Sequence, residues 1–249
     1  MKFSIITVCL NAVNTIEECI NSVLNQDYSD VEYIVMDGGS TDGTYETLLK
    51  YKDRIHCLCS EKDAGLYDAL NKGIQKSKGD VIAILHSDDL FVSKTIISEY
   101  ANAFKLNQTD GVYADVRYIN PNLKIIRTWK SGSYQPNAFL WGWMPPHTGL
   151  VIKKQCFKLY GMYRTDLEIS ADYELMLRFI QVHNISLFYM KRFAVHMRTG
   201  GKSNRSLSSR MQAHAQDLKA WRLNDLKPFW FTLMLKRFRK INQFFYLNR

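Results

Sequence analysis

Asp88 and Asp89 stand side by side where the apolar run Val81-Ile82-Ala83-Ile84-Leu85 gives out into His86-Ser87. Burying a lone carboxylate is expensive, and two adjacent ones also repel each other. At the end of a buried strand, a divalent cation gripping a phosphate-bearing ligand satisfies both.

A second polar cluster, Asp37-Gly38-Gly39-Ser40-Thr41-Asp42-Gly43-Thr44, lies between a strand pattern and a helix pattern. Its glycines allow close backbone approach to a ligand. Ser40 or Thr41 is placed to cap the following helix, and Asp37 to accept hydrogen bonds from a base or ribose. The same loop also reads as an ordinary capped strand–helix turn.

Strand and helix patterns alternate through the first hundred residues to position these groups. Strands are expected at Phe3–Val8, Val31–Met36, Ile55–Cys59 and Val81–Leu85. Helices are expected from a capping box at Asn14-Thr15-Ile16-Glu17, then at Thr44–Tyr51, Leu66–Ser77 and Lys94–Leu106. Such alternation with continuous apolar strands implies a parallel sheet covered on both faces. Ligands of such sheets bind beyond the carboxyl ends of the strands, where Asn11, 37–44, 60–65 and 87–89 fall. After residue 110 the pattern changes: mixed-sheet strands at Gly111–Arg117 and Lys124–Trp129, an aromatic, Pro- and Gly-rich loop at Gln135–Gly149, a helix at Tyr173–Gln181 and a strand at Ile185–Tyr189. A polar segment at Thr199–Ser209 precedes helices at Met211–Leu223 and Phe229–Tyr246.

Charge is uneven. Residues 190–249 hold 14 Lys/Arg against 2 Asp/Glu, so the formal net charge of +9 belongs to the C-terminal quarter. A basic tail on a near-neutral body suits anionic membrane or phosphate as readily as nucleic acid. The five cysteines show no zinc spacing and read as reduced core thiols. Met1-Lys2-Phe3-Ser4 enters a strand too soon for a signal peptide, and no apolar run is long enough to span a membrane.

With these motifs in order, the chain resembles a family 2 glycosyltransferase of the GT-A fold. The resemblance rests on the Asn11 strand end, the Asp37–Thr44 turn, Glu61-Lys62-Asp63-Ala64-Gly65-Leu66-Tyr67-Asp68-Ala69-Leu70-Asn71-Lys72-Gly73-Ile74, the strand into Ser87-Asp88-Asp89, and Ala171-Asp172-Tyr173-Glu174-Leu175 with Arg178. It covers roughly residues 3–200 and is nearest the branch that builds bacterial O-antigen, colanic acid or capsule. It implies an α/β fold with a Rossmann-like, mostly parallel sheet flanked by helices. Residues 1–200 would form the catalytic domain, 1–110 its nucleotide half and 111–200 its acceptor half, with 201–249 a basic loop and amphipathic helices.

The resemblance also implies an inverting transfer from a nucleotide-diphosphate sugar, UDP favoured, with Mn²⁺ or Mg²⁺. The acceptor would be a glycan or a polyprenyl-diphosphate-linked molecule. Carried over by position, Val8 and Leu10 flank the base, and Asn11, Asp37, Asp63 and Gly65 face the nucleotide sugar. Asp89 is the principal metal ligand, Asp88 lies at ribose or metal, and Asp172 is the general base. The chain departs from the family in Val8-Cys9-Leu10-Asn11, in His86 where an Asp is usual, and in Ala171 before Asp172. Glu168 and Glu174 are nearby alternatives to Asp172, with Glu174 expected on solvated surface.

His147 in Pro145-Pro146-His147-Thr148-Gly149 is a candidate acceptor contact, and Trp141 and Trp143 could stack on a sugar or simply anchor the loop. His196, Arg198 and Lys202 could reach the diphosphate, or form a solvated basic loop. In the tail, Trp230, Met234, Phe238, Ile241 and Phe245 recur at helical spacing beside Lys236, Arg237, Arg239 and Lys240. This pattern suits a helix lying on anionic lipid at the cytoplasmic membrane face, through 227–249, or one packing on the catalytic domain.

Three rival readings compete. A sugar nucleotidylyltransferase needs a basic Gly-rich phosphate loop where this chain has Asn11-Ala12-Val13-Asn14. A nucleic-acid-binding protein leaves the carboxylates unexplained on a phosphate-facing rim, so no nucleic-acid partner is expected. A catalytically dead scaffold is at odds with the full carboxylate set.

Overall fold

The computed structural model describes residues 1–199, 207–240 and 243. Lys202, Ile241, Phe245 and most of the polar segment expected at 199–209 lie outside the described residues.

Four parallel strands build the first half of one sheet: β1 (Phe3–Cys9), β2 (Val31–Asp37), β3 (Cys57–Ser60) and β4 (Val81–Ile84), in the order β3-β2-β1-β4. Every residue of β1 is buried, as a strand covered on both faces requires. Phe3 and Ile5 pack against α1 (Ile16–Leu24) and α4 (Ile96–Asn107), whereas Ile6 and Val8 face α3 (Leu66–Lys76) and α6 (Ala171–Met176). Gly73 lets α3 close on the sheet: a Cβ there would sit 2.6 Å from Ile6 Cγ2.

The second half is mixed. Antiparallel β8 (Leu150–Lys153) joins β4 to β6 (Gly111–Ile119), which runs parallel to β9 (Leu187–Arg198). The two-residue β5 (Leu90–Phe91) pairs with β9 through Leu90 and His196, and β7 (Ile125–Trp129) pairs with β6. The β5–β9 pairing carries the Asp88-Asp89 turn up to Arg198, more than a hundred residues away in sequence.

Several local expectations are corrected. The capping box at Asn14–Glu17 does not form: Thr15 precedes α1 without a side-chain cap bond. Neither Ser40 nor Thr41 caps α2 (Thr44–Leu49); Gly43, in the left-handed region, takes that place, and Asp42 Oδ1 accepts from the Thr44 N–H at 3.0 Å. Asn11 and Asp37 have already engaged Thr41 and Ser40, as described below. The helix expected at Tyr173–Gln181 begins at Ala171 and widens into a π-helical turn over Leu177–Val182. The strand expected at Ile185–Tyr189 runs on to Arg198, and β5, β8 and α5 (Lys154–Tyr160) were not foreseen. The five cysteines are free thiols.

α7 (Leu207–Leu223) packs on α6, and α8 (Thr232–Phe238) lies against the turn at Ala138–Trp141. A Cβ on Gly142 would collide with the backbone of Lys236. Thr232 and Leu233 are buried, while Trp230, Met234 and Phe238 are 85%, 47% and 58% exposed. The helix therefore docks on the domain by one face and leaves its apolar stripe in solvent. No helix among the described residues is long and apolar enough to cross a membrane.

Candidate active site

The nucleotide-side rim forms where β1, β2 and β3 end in register, with Cys9 opposite Asp37 and Asp37 opposite Ser60. Asp37 is buried, and both its oxygens are engaged within the protein. It accepts from Ser40 Oγ and Ser60 Oγ, each at 2.5 Å, and from the Ser40 N–H. Asn11 has a left-handed backbone; its Oδ1 accepts from the Thr41 N–H and its N–H donates to Ser40 Oγ. These bonds fix the loop that faces any ligand. Asp63 lies over Gly38, where a Cβ would meet its Oδ2 at 2.6 Å, and its Oδ1 accepts from the Gly65 N–H. Of the two residues expected to flank a base, Leu10 is exposed on the rim and Val8 belongs to the core.

Asp88 and Asp89 follow β4 in a turn closed by the Asp89 N–H on the His86 carbonyl, 2.9 Å apart. Asp89 is 2% exposed, and its Oδ2 has no partner among the described residues. Burial, and then the Asp88 charge, push its carboxyl well above the usual range, opposed by the Arg198 backbone N–H and guanidinium. The Arg198 side chain itself is paired to Glu18 on α1 at 2.6 Å. An orphaned carboxylate oxygen beside a second carboxylate suits Mg²⁺ or Mn²⁺, which take one or two protein carboxylates and complete their shells with phosphate and water. No group of three metal-binding side chains exists among the described residues, so the remaining ligands would come from substrate and solvent.

Asp172 is the second residue of α6 and lines a cavity of about 690 Å³ with His147, Asp217 and Lys236. Its Oδ1 accepts from the Tyr173 N–H at 2.8 Å and the Tyr67 hydroxyl at 3.3 Å. Burial raises its proton affinity; Lys236 is the leading opposing influence. Lys236 Nζ bonds Asp217 Oδ2 at 2.7 Å and sits 3.5 Å above the Tyr173 ring. His147 Nε2 lies 2.7 Å from the Tyr163 hydroxyl, and its ring is 5.7 Å from that of His86. Burial and His86 push His147 down to about 3, so it is a neutral imidazole. Burial also lowers His86, against the pull of Asp88 and Asp172.

The other candidates are more scattered. Trp143 is buried with its Nε1–H on the Ser131 carbonyl, and Trp141 packs on Phe229 and Phe231. His196 lies on β9 outside the cavity lining, although its neighbours Met197 and Arg198 contribute to it. Glu168 is exposed. Glu174 corrects an expectation: it is 2% exposed, not solvated, because Arg178 one turn on grips both its oxygens at 2.9 Å and Asn224 adds a third bond. Tyr67, Tyr163, Asp217 and Lys236 escaped the sequence reading as site residues. Tyr67 is the buried second residue of α3.

The comparisons with known proteins decide the family. The glycosyl transferase family 2 model matches residues 4–155. The chain belongs to glycosyl transferase family 2. An uncharacterized glycosyltransferase of Rickettsia typhi is 29% identical over 195 residues, spanning 73% of this chain and 59% of that protein. A PGL/p-HBAD biosynthesis glycosyltransferase of Mycobacterium bovis is 27% identical over 180 residues, 71% of this chain and 68% of the relative. Among solved structures, S. aureus TarS 1-349 in complex with UDP-GlcNAc superposes with a TM-score of 0.70 at 17% identity, covering 97% of this chain and 73% of TarS 1-349. The Pyrobaculum calidifontis mannosyltransferase PcManGT, in complex with GDP-Man and Mn²⁺, gives 0.66 at 19% identity, covering 94% and 68%. These likenesses establish a GT-A-like fold.

Proposed function

We propose that this glycosyltransferase moves a sugar from a nucleoside-diphosphate donor, UDP favoured, to a hydroxyl of a glycan or lipid-linked acceptor, inverting the anomeric carbon. Residues 1–110 would hold the nucleotide and 111–200 the acceptor. The observation that carries this reading is Asp172: a carboxylate with raised proton affinity, lining a cavity and near enough to His86 to act on it, as Asp88 also does. Complexes of TarS with UDP-GlcNAc and of PcManGT with GDP-Man and Mn²⁺ support the donor class by analogy.

In this mechanism Asp172 takes the acceptor hydroxyl proton as that oxygen bonds the anomeric carbon. The bond from that carbon to the diphosphate oxygen breaks on the opposite face. Asp88 and Asp89 would hold Mn²⁺ or Mg²⁺, which when bound neutralises charge on the departing diphosphate. Asp37, Asn11 and Asp63 keep the rim loops in place for the nucleotide, and neutral His147 offers the acceptor a hydrogen-bonding group without adding charge.

The acceptor is assigned to surface polysaccharide synthesis at the cytoplasmic membrane face. Trp230, Met234 and Phe238 form an exposed apolar stripe beside Lys227 and Arg239, the composition of a surface that rests on anionic lipid. Sedimentation with anionic vesicles should retain the full chain and release a Trp230→Ser/Phe238→Ser variant; equal retention removes the membrane reading.

A calorimetric panel of UDP-, GDP- and dTDP-sugars, with and without Mn²⁺, tests the whole. One donor should bind with metal dependence, and Asp172→Asn should keep that binding while losing transfer by about 10²-fold or more. Absence of any nucleotide binding, or near-normal transfer by Asp172→Asn, overturns it.

A further inference from the structure

Two buried groups of opposite charge stand near the Asp88-Asp89 turn and leave each other unused. Asp89 Oδ2 has no partner among the described residues, and neither has the Arg198 Nε–H. Antiparallel pairing sets Leu90 of β5 opposite His196 of β9, which brings the turn before Leu90 to the Met197-Arg198 end of β9. The Arg198 main-chain N–H and guanidinium both act on the Asp89 carboxyl. A buried donor and a buried carboxylate in one neighbourhood ordinarily satisfy each other through a charge-assisted bond.

Glu18 explains why these two do not. It accepts from the Arg198 guanidinium at 2.6 Å, across 180 positions of the chain. Its own place is fixed, because α1 is fastened to both sides of the turn. The Cys19 thiol donates to the His86 carbonyl at 3.3 Å, and the Phe91 N–H donates to Ser22 Oγ at 3.2 Å. The Arg198 main chain is fixed as well: Arg198 is in register with Ile119 on β6, and the Thr199 N–H donates to the Ile119 carbonyl. Only the Arg198 side chain has a choice, between Glu18 on α1 and Asp89 on the turn. Arg198 is 12% exposed and Glu18 51%. A pair with one half-exposed member is weak, so it biases that choice without freezing it.

The choice matters to a cation. A guanidinium turned to Asp89 would occupy the free oxygen and set a positive charge against any metal arriving there. Held by Glu18, the same guanidinium leaves Oδ2 open.

We propose that Glu18 is a positioning residue: by holding Arg198 it keeps Asp89 Oδ2 open for the divalent cation, and without its charge Arg198 takes that oxygen instead. This rests on the metal reading of Asp88-Asp89. Glu18 acts through Arg198 and not as a ligand of the cation.

The test is Mn²⁺ binding to the metal-free full chain, read from the loss of the free Mn²⁺ signal in electron paramagnetic resonance, with Asp89→Asn as the background. Glu18→Gln should bind Mn²⁺ about three- to fivefold more weakly than wild type. Arg198→Met keeps the main-chain N–H but removes the competing cation, so it should bind at least as tightly as wild type. Glu18→Gln/Arg198→Met should match Arg198→Met within about 1.5-fold, because Glu18 then has nothing to hold. A pair that only braces α1 against β9 would weaken Mn²⁺ in all three variants alike. That result overturns the proposal, as does equal binding by Glu18→Gln and wild type. A Glu18→Gln loss that persists undiminished beside Arg198→Met also overturns it, since the carboxylate would then act on the metal directly. These three outcomes leave Asp89 a metal ligand. If wild type binds Mn²⁺ no better than Asp89→Asn, the proposal falls outright, and calorimetry of UDP-sugars on wild type with and without Mn²⁺ shows whether the metal reading falls with it.

Discussion

Tyr67 and Asp172, 105 positions apart in the chain, meet hydroxyl to carboxylate at 3.3 Å, while the same hydroxyl also donates to the Ile169 carbonyl at 2.7 Å. Burial holds the Tyr67 proton on well past its ordinary range, so the group is a donor at any working pH. Tyr67 therefore ties α3, which follows the nucleotide-side loop, to the residue assigned as base. Tyr67→Phe removes this donor and leaves Asp172 Oδ1 to the Tyr173 N–H, loosening its orientation. A hydrogen bond of this kind contributes about 1 kcal/mol, so kcat should fall roughly fivefold. Donor affinity should not change, since the hydrogen bonds and ring contact of Tyr67 go to Ile169, Asp172 and Tyr163 on the acceptor side. Steady-state kinetics and donor calorimetry on one preparation read both; an unchanged kcat denies Tyr67 a positioning role.

The proton affinity of Asp172 is set by burial, which raises it, and by Lys236, which leads the influences that lower it. Lys236→Met removes that restraint and also strips Asp217 of its partner, and Asp217 itself raises Asp172. Both effects have the same sign. With Asp172 as the base, activity needs its ionised form and is lost as pH falls through its raised pKa. The acid limb of kcat/KM against pH should therefore move to higher pH in Lys236→Met and stay near wild type in Lys236→Arg. Identical limbs in all three proteins would separate Lys236 from the base.

Asp89 illustrates a conflict between stability and binding. Its carboxylate is buried with one oxygen unpartnered among the described residues and another carboxylate beside it. Replacing the charge by an amide of the same shape relieves desolvation, so metal-free Asp89→Asn should be more stable than wild type at neutral pH, by about 1 kcal/mol. Adding Mn²⁺ and a nucleotide sugar should then raise Tm in wild type and leave the variant unmoved. Thermal unfolding with and without both ligands checks it. A destabilised variant that still responds to Mn²⁺ would remove Asp89 as a ligand.

Much of this arrangement was legible from residue order because the parallel half of the sheet is built from local units. A fully buried strand followed by a polar turn is visible in a dozen residues, and β1, β2 and β4 bring Asn11, Asp37 and the Asp88-Asp89 pair to one edge by sheet topology alone. The acceptor side is different. Its strands pair across the chain, β5 with β9 and β4 with β8, and two- or four-residue strands carry too little periodicity to announce themselves. Capping also misled: Thr15 and Thr41 are good cap residues by type, but the rim bonds of Asn11 and Asp37 place the 40–44 loop so that Asp42 and Gly43 start α2 instead. Lys236 and Lys240 read as part of a lipid-facing basic run. Only the docking of Leu233 and the close approach to Gly142 turn them inward, and nothing in helical spacing distinguishes a wall from a membrane face.

Glu174 and Arg178 provide a control for the assignment of Asp172. Glu174 is two residues from Asp172 and sits on the same helix, but its oxygens are taken by Arg178, which also donates to the carbonyls of Tyr160, Gly161 and Met162. The pair thus fastens α6 to the end of α5, and both partners are largely buried, at 14% and 2% side-chain exposure. Arg178→Met strands the Glu174 charge and should cost about 3–5 kcal/mol. For a chain of this size that is a fall in Tm of roughly 10 °C. Glu174→Gln should lose less, because Arg178 keeps its carbonyl partners and Asn224 can still donate to the amide oxygen. Adding Glu174→Gln to Arg178→Met should recover part of the stability by removing the stranded charge. Assayed well below its own Tm, Glu174→Gln should keep kcat within about twofold, as expected for a group with no proton to transfer. A collapse of kcat in folded Glu174→Gln would move the base from Asp172 to Glu174.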